Sequence, residues 1–366
     1  MARIVVKLGS STLTRGTTRL NLPHMVEIAR QVSALMDAGH EVMLVSSGAM
    51  AAGREQMNYP QLPREIPAKQ MLAAVGQLRL MSVYTQVFGI FGRTIGQVLL
   101  TRADLANRSS YLNSRNTLQA MAAHGVIPII NENDTVATEE IRIGDNDNLS
   151  ALTANLVDAG LLILLTDIEG LYTADPRNNK DARIIREVRG EQIPAEVWAA
   201  ADGSKSGLGT GGMVTKLQAA DLARRSGTEV VIAPGTEPDV LPRLARGEQI
   251  GTRFYPSGST LESRKRYILA GGNAHSLVRV DAGAAKALRK GGSLLAVGIS
   301  ALEGDFDRGD AVRIFDPNGK ELARGISNYT SADLNRILGR KSDEIEAALG
   351  YFYGDEVVHR NDLVLM

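Results

Sequence analysis

Cysteine is absent from the 366 residues, which excludes disulfides, thiolate nucleophiles and zinc–thiolate sites together and fits a reducing compartment. Histidine is scarce: the five, at 24, 40, 124, 275 and 359, are scattered and form no His-Glu-x-x-His pair, so a histidine-built metal centre is not expected. Net charge is lacking as well. Forty-one Lys+Arg balance 41 Asp+Glu, leaving no global field to draw the chain to nucleic acid or an anionic membrane. No run approaches the ~20 apolar residues of a membrane span, and the opening MARIVVKLGSS meets Lys7 after a short apolar run, unlike a secretory leader. At 44% hydrophobic and 22% charged residues the composition is that of a globular chain rather than a disordered one. The expectation is a cytoplasmic protein of one large or two ordinary domains.

What is present has a strong order. Apolar, β-branched runs at 3–9, 41–47, 94–101, 126–132, 161–167 and 229–235 alternate with helical patterns at 23–39, 64–88, 110–124, 149–159 and 213–226. That alternation predicts an α/β fold with a mostly parallel sheet flanked by helices. Gly39, Gly125, Gly160 and Gly227 are placed to end four of the helices in a left-handed conformation. Five of the six strand runs end in a polar tail (KLGSS, SSGAM, NEND, TDIEG, APGT), and in such sheets ligands bind along the carboxyl edge. Near residue 254 the texture changes. The stretch YPSGSTLESRKRYILAGGN reads as a linker, and beyond it short strands separated by turn signals, including Asp316-Pro317-Asn318-Gly319, predict a small β-rich barrel. The domains expected are therefore 1–255, a linker at 256–275, and 276–366, the last with 12 Lys+Arg against 14 Asp+Glu.

Several tails carry chemistry. Lys7-Leu8-Gly9-Ser10-Ser11 can bring a fixed positive charge and backbone N–H groups to a phosphate, and Ser46-Ser47-Gly48-Ala49 ends the second strand similarly. Asn131-Glu132-Asn133-Asp134 and the run Asp145-Asn146-Asp147-Asn148 are dense in carboxylates and amides. An EF-hand reading fails because Ser150 and Leu156 stand where Gly and Glu are needed. Helix capping would use one such residue; four in a row suit a group that binds an ammonium or organises lysines. Thr166-Asp167 is either a holder of base and ribose or an ordinary turn. Gly207, Gly209 and Gly212 match G-x-G-x-x-G formally, but a polar loop precedes them where a dinucleotide site needs a buried strand, and the Gly-Lys-Ser/Thr ending of a Walker A loop is missing. A flexible glycine loop over phosphates remains, with Lys216 in the following helix. Met71 and Met81 are expected to be core or subunit-contact residues.

Taken in series, Lys7-x-Gly-Ser-Ser, Ser47-Gly-Ala, NEND, GDNDNLSALTA, LLTD-x-x-GLYTADPR and GTGGMVTK closely resemble the amino acid kinase family, in particular its glutamate-phosphorylating branch. The C-terminal module resembles a PUA domain. The resemblance implies a three-layer αβα sandwich with a mostly parallel sheet, followed by a small β-barrel-like PUA domain. It implies transfer of phosphate from ATP to the γ-carboxylate of L-glutamate, giving γ-glutamyl phosphate for proline synthesis, with Mg²⁺ as cofactor and proline as feedback inhibitor. Lys7 and Lys216 would then be the phosphate-stabilising lysines and Asp147 the carboxylate that holds them. Ser47, Asp134 and Asn146 would contact glutamate, with Asn131 nearby. Thr166, Asp167, Thr210, Gly211, Gly212, Met213, Val214, Thr215 and Lys216 would bind ATP together with Lys7. Also implied are a homodimer or homotetramer and glutamyl phosphate reductase as a partner. The metal ligands stay unassigned. Two rival readings stand beside it: another acceptor on the same fold (aspartate, N-acetylglutamate, carbamate or a nucleoside monophosphate), or RNA binding through the PUA-like module.

Overall fold

The computed structural model describes residues 2–63, 65–137, 146–174, 179–202, 212–259 and 272–366. The six apolar runs form strands β1 (Arg3–Leu8), β2 (Glu41–Ser46), β3 (Ile95–Leu100), β4 (Ile127–Glu132), β5 (Leu161–Thr166) and, after a short β6 (Glu187–Val188), β7 (Glu229–Pro234). With β8 (Thr252–Phe254) they make one eight-stranded sheet in the order β3-β4-β2-β1-β5-β7-β8-β6. Every pairing is parallel except β7 with β8, so the sheet is mostly parallel as expected.

Strand alternation divides the core in two. Ile4, Val6 and Leu8 of β1 join Val42 and Leu44 of β2 in a cluster with the helices Leu22–Asp37 and Ile66–Gly89. Val5, Met43, Val45, Leu162 and Leu164, all fully buried, face the other way, where the helices Asn146–Leu156 and Met213–Arg225 pack against the sheet. Lys7 shares that second face with Val5. The long helices lie within a few residues of their expected positions. The short ones, Ser10–Thr14, Ala49–Gln56, Arg102–Ala106, Ala195–Asp202 and Val240–Ala245, were not expected, because one or two turns are too brief for a 3.6-residue period to show.

Two local expectations are corrected. Gly39, Gly125 and Gly227 have positive φ as foreseen, but Gly160 does not; after Leu156 it is Asp158, at φ 52°, that takes the left-handed turn. Asp tolerates that region because its short side chain can bond locally. The Asx run, meanwhile, does not precede its helix. Asn146, Asp147 and Asn148 are its first turn. Residues 138–145 with Asp145, residues 203–211 with Gly207, Gly209, Thr210 and Gly211, and the linker segment 260–271 with Arg264, Lys265 and Arg266 lie outside the described residues.

The helices Ala49–Gln56 and Ile66–Gly89 touch backbone to backbone. A Cβ at Gly53 would stand 2.0 Å from the Leu72 carbonyl oxygen, and one at Gly76 1.7 Å from that of Ala49. This contact seats the helix that starts just after Ser47. Gly76→Ala is therefore expected to destabilise the chain by about 3 kcal/mol, the upper end for overpacking, since rigid backbone is what must yield. An unchanged urea midpoint would contradict the close approach.

Backbone contacts divide the chain into Met1–Ala103 with Arg115–Thr260, and Asp104–Ser114 with Leu261–Met366. The second unit holds β9 (Gly272–Val280), β10 (Leu294–Leu295), β11 (Ile299–Glu303), β12 (Ala311–Phe315), β13 (Glu321–Ile326), β14 (Glu356–Val358) and β15 (Leu363–Leu365). Five of these form a sheet in the order β11-β9-β12-β13-β15, and β10 pairs with β14. Its core gathers Val278, Val312, Ile314, Tyr329 and Val358 with residues of the helices Ala282–Arg289, Ser331–Ile337 and Ile345–Leu349. The expected turn is present: Gly319, at φ 76°, closes back on the Asp316 carbonyl at 2.9 Å. No described helix is long and apolar enough to cross a membrane.

Candidate active site

Lys7 is the penultimate residue of β1, on the face turned toward the helix Asn146–Leu156, and is only 4% exposed. A lysine so deeply placed needs an anion, because stripping water from an unpaired ammonium is prohibitive. The partner is Asp147, in the first turn of that helix, where the helix dipole also favours a carboxylate. Lys7 Nζ lies 2.6 Å from Asp147 Oδ1, and Lys216 Nζ donates to Oδ2 at 3.2 Å. Lys216 comes from the first turn of the helix Met213–Arg225, so two lysines 209 positions apart in the chain meet on one carboxylate. The Thr215 hydroxyl is 2.7 Å from the same Oδ2 and 2.8 Å from the Gly212 carbonyl oxygen. Asp147 itself is 1% exposed.

Burial by itself would push the Asp147 carboxyl up. The charges of Lys7 and Lys216, aided by hydrogen bonds from Lys7 and Thr215, more than reverse this and hold it well below the usual carboxylate range. The cluster is thus two cations and one permanent anion, almost shut off from water, with a surplus positive charge at the carboxyl edge of the sheet.

Beside it runs a chain of amides. Asn146, next to Asp147, donates from Nδ2 to Ser47 Oγ and to Asn131 Oδ1, both at 2.9 Å. Asn131, at the end of β4, donates in turn to Gln77 Oε1 at 2.9 Å. Ser47 is fixed by its own N–H, which donates to the Leu8 carbonyl at 2.9 Å. Ser47, Asn131 and Asn146 therefore do converge, while Asp134 sits in the turn that follows β4. Gln77 was not singled out by any motif. Its only signal in the sequence is a polar residue inside a largely apolar helix.

Thr166 ends β5, beside β1, and its hydroxyl donates to Oδ1 of Asp167, the next residue, at 3.1 Å. Gly212 precedes the helix Met213–Arg225 in an extended conformation and gives it no side-chain cap, and the N–H groups of such a first turn suit an anion. Met213 is buried, so its side chain packs; what it and Val214 can offer a nucleotide is backbone. No cluster of three or more His, Asp or Glu suited to a metal occurs among the described residues, and the Asp147 carboxylate is already occupied by ammonium groups.

Residues 2–234 match the model of the amino acid kinase family and residues 277–349 that of the PUA domain. The chain is 56% identical over 364 residues to a glutamate 5-kinase of Photobacterium profundum, covering 99% of this chain and 96% of that protein. A glutamate 5-kinase of Shewanella oneidensis is 56% identical over 365 residues, with 100% and 98% covered. One from Deinococcus radiodurans is 53% identical over 365 residues, with both chains covered completely. On this likeness, and with a mostly parallel sheet whose carboxyl edge gathers Lys7, Asp147 and Lys216, the chain belongs to the amino acid kinase family and groups there with the glutamate 5-kinases.

Proposed function

We propose that this chain transfers the γ-phosphoryl group of ATP to the γ-carboxylate of L-glutamate. One observation carries the reading beyond family likeness: two buried lysines held on a single buried carboxylate at the carboxyl edge. A carboxylate acceptor, with a free pKa of about 4.3, is already an anion at neutral pH, so no general base is required and the absence of a reactive His or Cys costs nothing. The difficulty is electrostatic, since an anion must approach an anionic phosphate while charge spreads over the transferring oxygens. An acceptor oxygen bonds to the γ-phosphorus as the bond to the β,γ-bridging oxygen breaks, releasing ADP and γ-glutamyl phosphate. Lys7 and Lys216 stabilise that charge, and Asp147 keeps them apart and aimed. Ser47, Asn146 and Asn131 orient the acceptor, and Asp134 pairs with its α-ammonium. Thr166, Asp167 and residues 210–216 take the nucleotide.

Mg²⁺ fits as a companion of the ATP phosphates rather than as a resident of a protein cage, the usual mode for an ion that keeps most of its waters. A cytoplasmic enzyme of proline synthesis, feedback-inhibited by proline, self-associating, and delivering its product to a glutamyl phosphate reductase completes the reading. The test is glutamate-dependent ADP release with hydroxylamine capture of the acyl phosphate. Capture with glutamate but not with aspartate or N-acetylglutamate is expected; intact protein that traps no hydroxamate overturns the substrate.

Thr215 supplies a graded prediction. Thr215→Val removes a hydroxyl from Asp147 Oδ2 without changing charge. A hydrogen bond to a charged group contributes about 1.5–3 kcal/mol, so turnover should fall roughly 10- to 100-fold, with KM for glutamate unchanged. Full turnover in the variant would show that the lysines alone hold Asp147.

A further inference from the structure

We infer that Gln77 reads the α-carboxylate of the acceptor amino acid through Nε2, and so decides which end of it faces the lysines. The inference rests on the glutamate reading and adds to it a residue that selects the substrate.

Gln77 stands in the helix Ile66–Gly89 among the buried residues Ala73, Gly76, Leu80 and Met81. Ordering a glutamine there is costly in side-chain entropy, and buried amide groups are normally bonded. Half of this one is. Its Oε1 accepts from Asn131 Nδ2 at 2.9 Å. Asn131 Oδ1 is taken by Asn146 Nδ2, and Asn146 Nδ2 also serves Ser47, so the amide chain runs in one direction and Gln77 presents its oxygen to it. Nε2 is left over, buried and without an acceptor among the described residues. Two N–H donors with nothing to donate to, at the end of a chain of proposed acceptor contacts, call for a ligand oxygen.

Position says which oxygen. Asn131 is on β4, and the sheet order β4-β2-β1 puts two strand spacings, about 10 Å, between its strand and that of Lys7. The helix bearing Gln77 covers the face of Ile4, Val6 and Leu8, opposite to the face of Lys7. An amino acid whose γ-carboxylate lies at the lysines and which extends along Asn146 and Asn131 brings its α-carbon groups to Gln77. The ammonium there belongs to Asp134 in the reading above. A neutral amide donor suits the remaining group, the α-carboxylate, and cannot satisfy the N–H₂ of an α-carboxamide.

Steady-state ADP release by the full chain tests this with two acceptors, L-glutamate and its α-amide, in the wild type and in Gln77→Glu and Gln77→Met. Gln77→Glu keeps an oxygen for Asn131 but turns a second oxygen toward the substrate. KM for glutamate should rise roughly 10- to 100-fold, with kcat and KM for ATP within about two-fold, the pattern of lost ground-state binding. Preference should shift toward the α-amide, whose N–H₂ can donate to the new carboxylate. Gln77→Met should raise KM for glutamate without that shift. Unchanged KM and preference in Gln77→Glu, or a joint loss of kcat and ATP affinity in both variants, overturns the assignment and makes Gln77 a packing residue. Wild-type chain that releases no ADP with glutamate would instead overturn the kinase reading itself.

Discussion

Replacing Lys7 or Lys216 by methionine should lower turnover roughly 10²- to 10³-fold while leaving the chain folded, the loss typical of removing one preorganised charge or donor from a transition state. Methionine fills much of the lysine volume, and in each single variant Asp147 keeps the other ammonium, so no buried carboxylate is stranded. The fold survives because of that sharing. The chemistry does not, because the reactants then meet a cluster of one cation and one anion whose charges cancel. KM for glutamate should change far less than kcat, since charge develops on the transferring oxygens only as the reaction proceeds. The double variant carries a further cost: a buried carboxylate with no cation, facing phosphates of its own sign. A folded double variant with wild-type turnover would remove both lysines from the mechanism.

Asp147→Asn should do damage on two levels. The substitution leaves two buried ammonium groups side by side, and breaking a buried ion pair by deleting one partner costs about 3–5 kcal/mol. Turnover should fall at least 10²-fold, because the lysines are no longer aimed. The pH dependence has a defined sign. Asp147 is held below its unfolded value, near 3.9 for a free Asp, so its stabilisation is fully present above about pH 4 and is lost as pH falls through the depressed folded value. Urea titrations should therefore give a wild-type advantage over Asp147→Asn that is flat from neutral pH down to about 5 and shrinks below 4. An advantage that began to decline near pH 6 would mean that Asp147 is not ion-paired as described.

Much of the architecture is legible because it is local. The runs that became β1, β2, β4, β5 and β7 are apolar enough to be buried on both faces, and their polar tails mark the carboxyl edge without any knowledge of strand order. Lys7 could be picked out as a charge at the end of such a run, and Asp147 as part of an Asx cluster larger than a cap needs. Other features escaped because their cause is distant. Asn146–Asn148 read as residues ahead of a helix, since propensity places Asx at caps; tertiary bonds to Ser47, Asn131 and Lys7 draw them into the first turn instead. The abutment of Gly53 and Gly76 involves two helices, one of them too short to be seen.

From the residues alone followed the alternating α/β order, the site-bearing edge and two lysines placed to meet phosphates, because burial, periodicity and charge are properties of short segments; that Asp147 is the carboxylate between them was implied by the family resemblance. Only the tertiary structure decided that Lys7 and Lys216 meet on opposite oxygens of Asp147, that the Thr215 hydroxyl joins them, and that the amide chain ends at Gln77. Those contacts depend on strand order and on which face each helix covers, and such choices are made by the whole core at once, at separations no local pattern encodes.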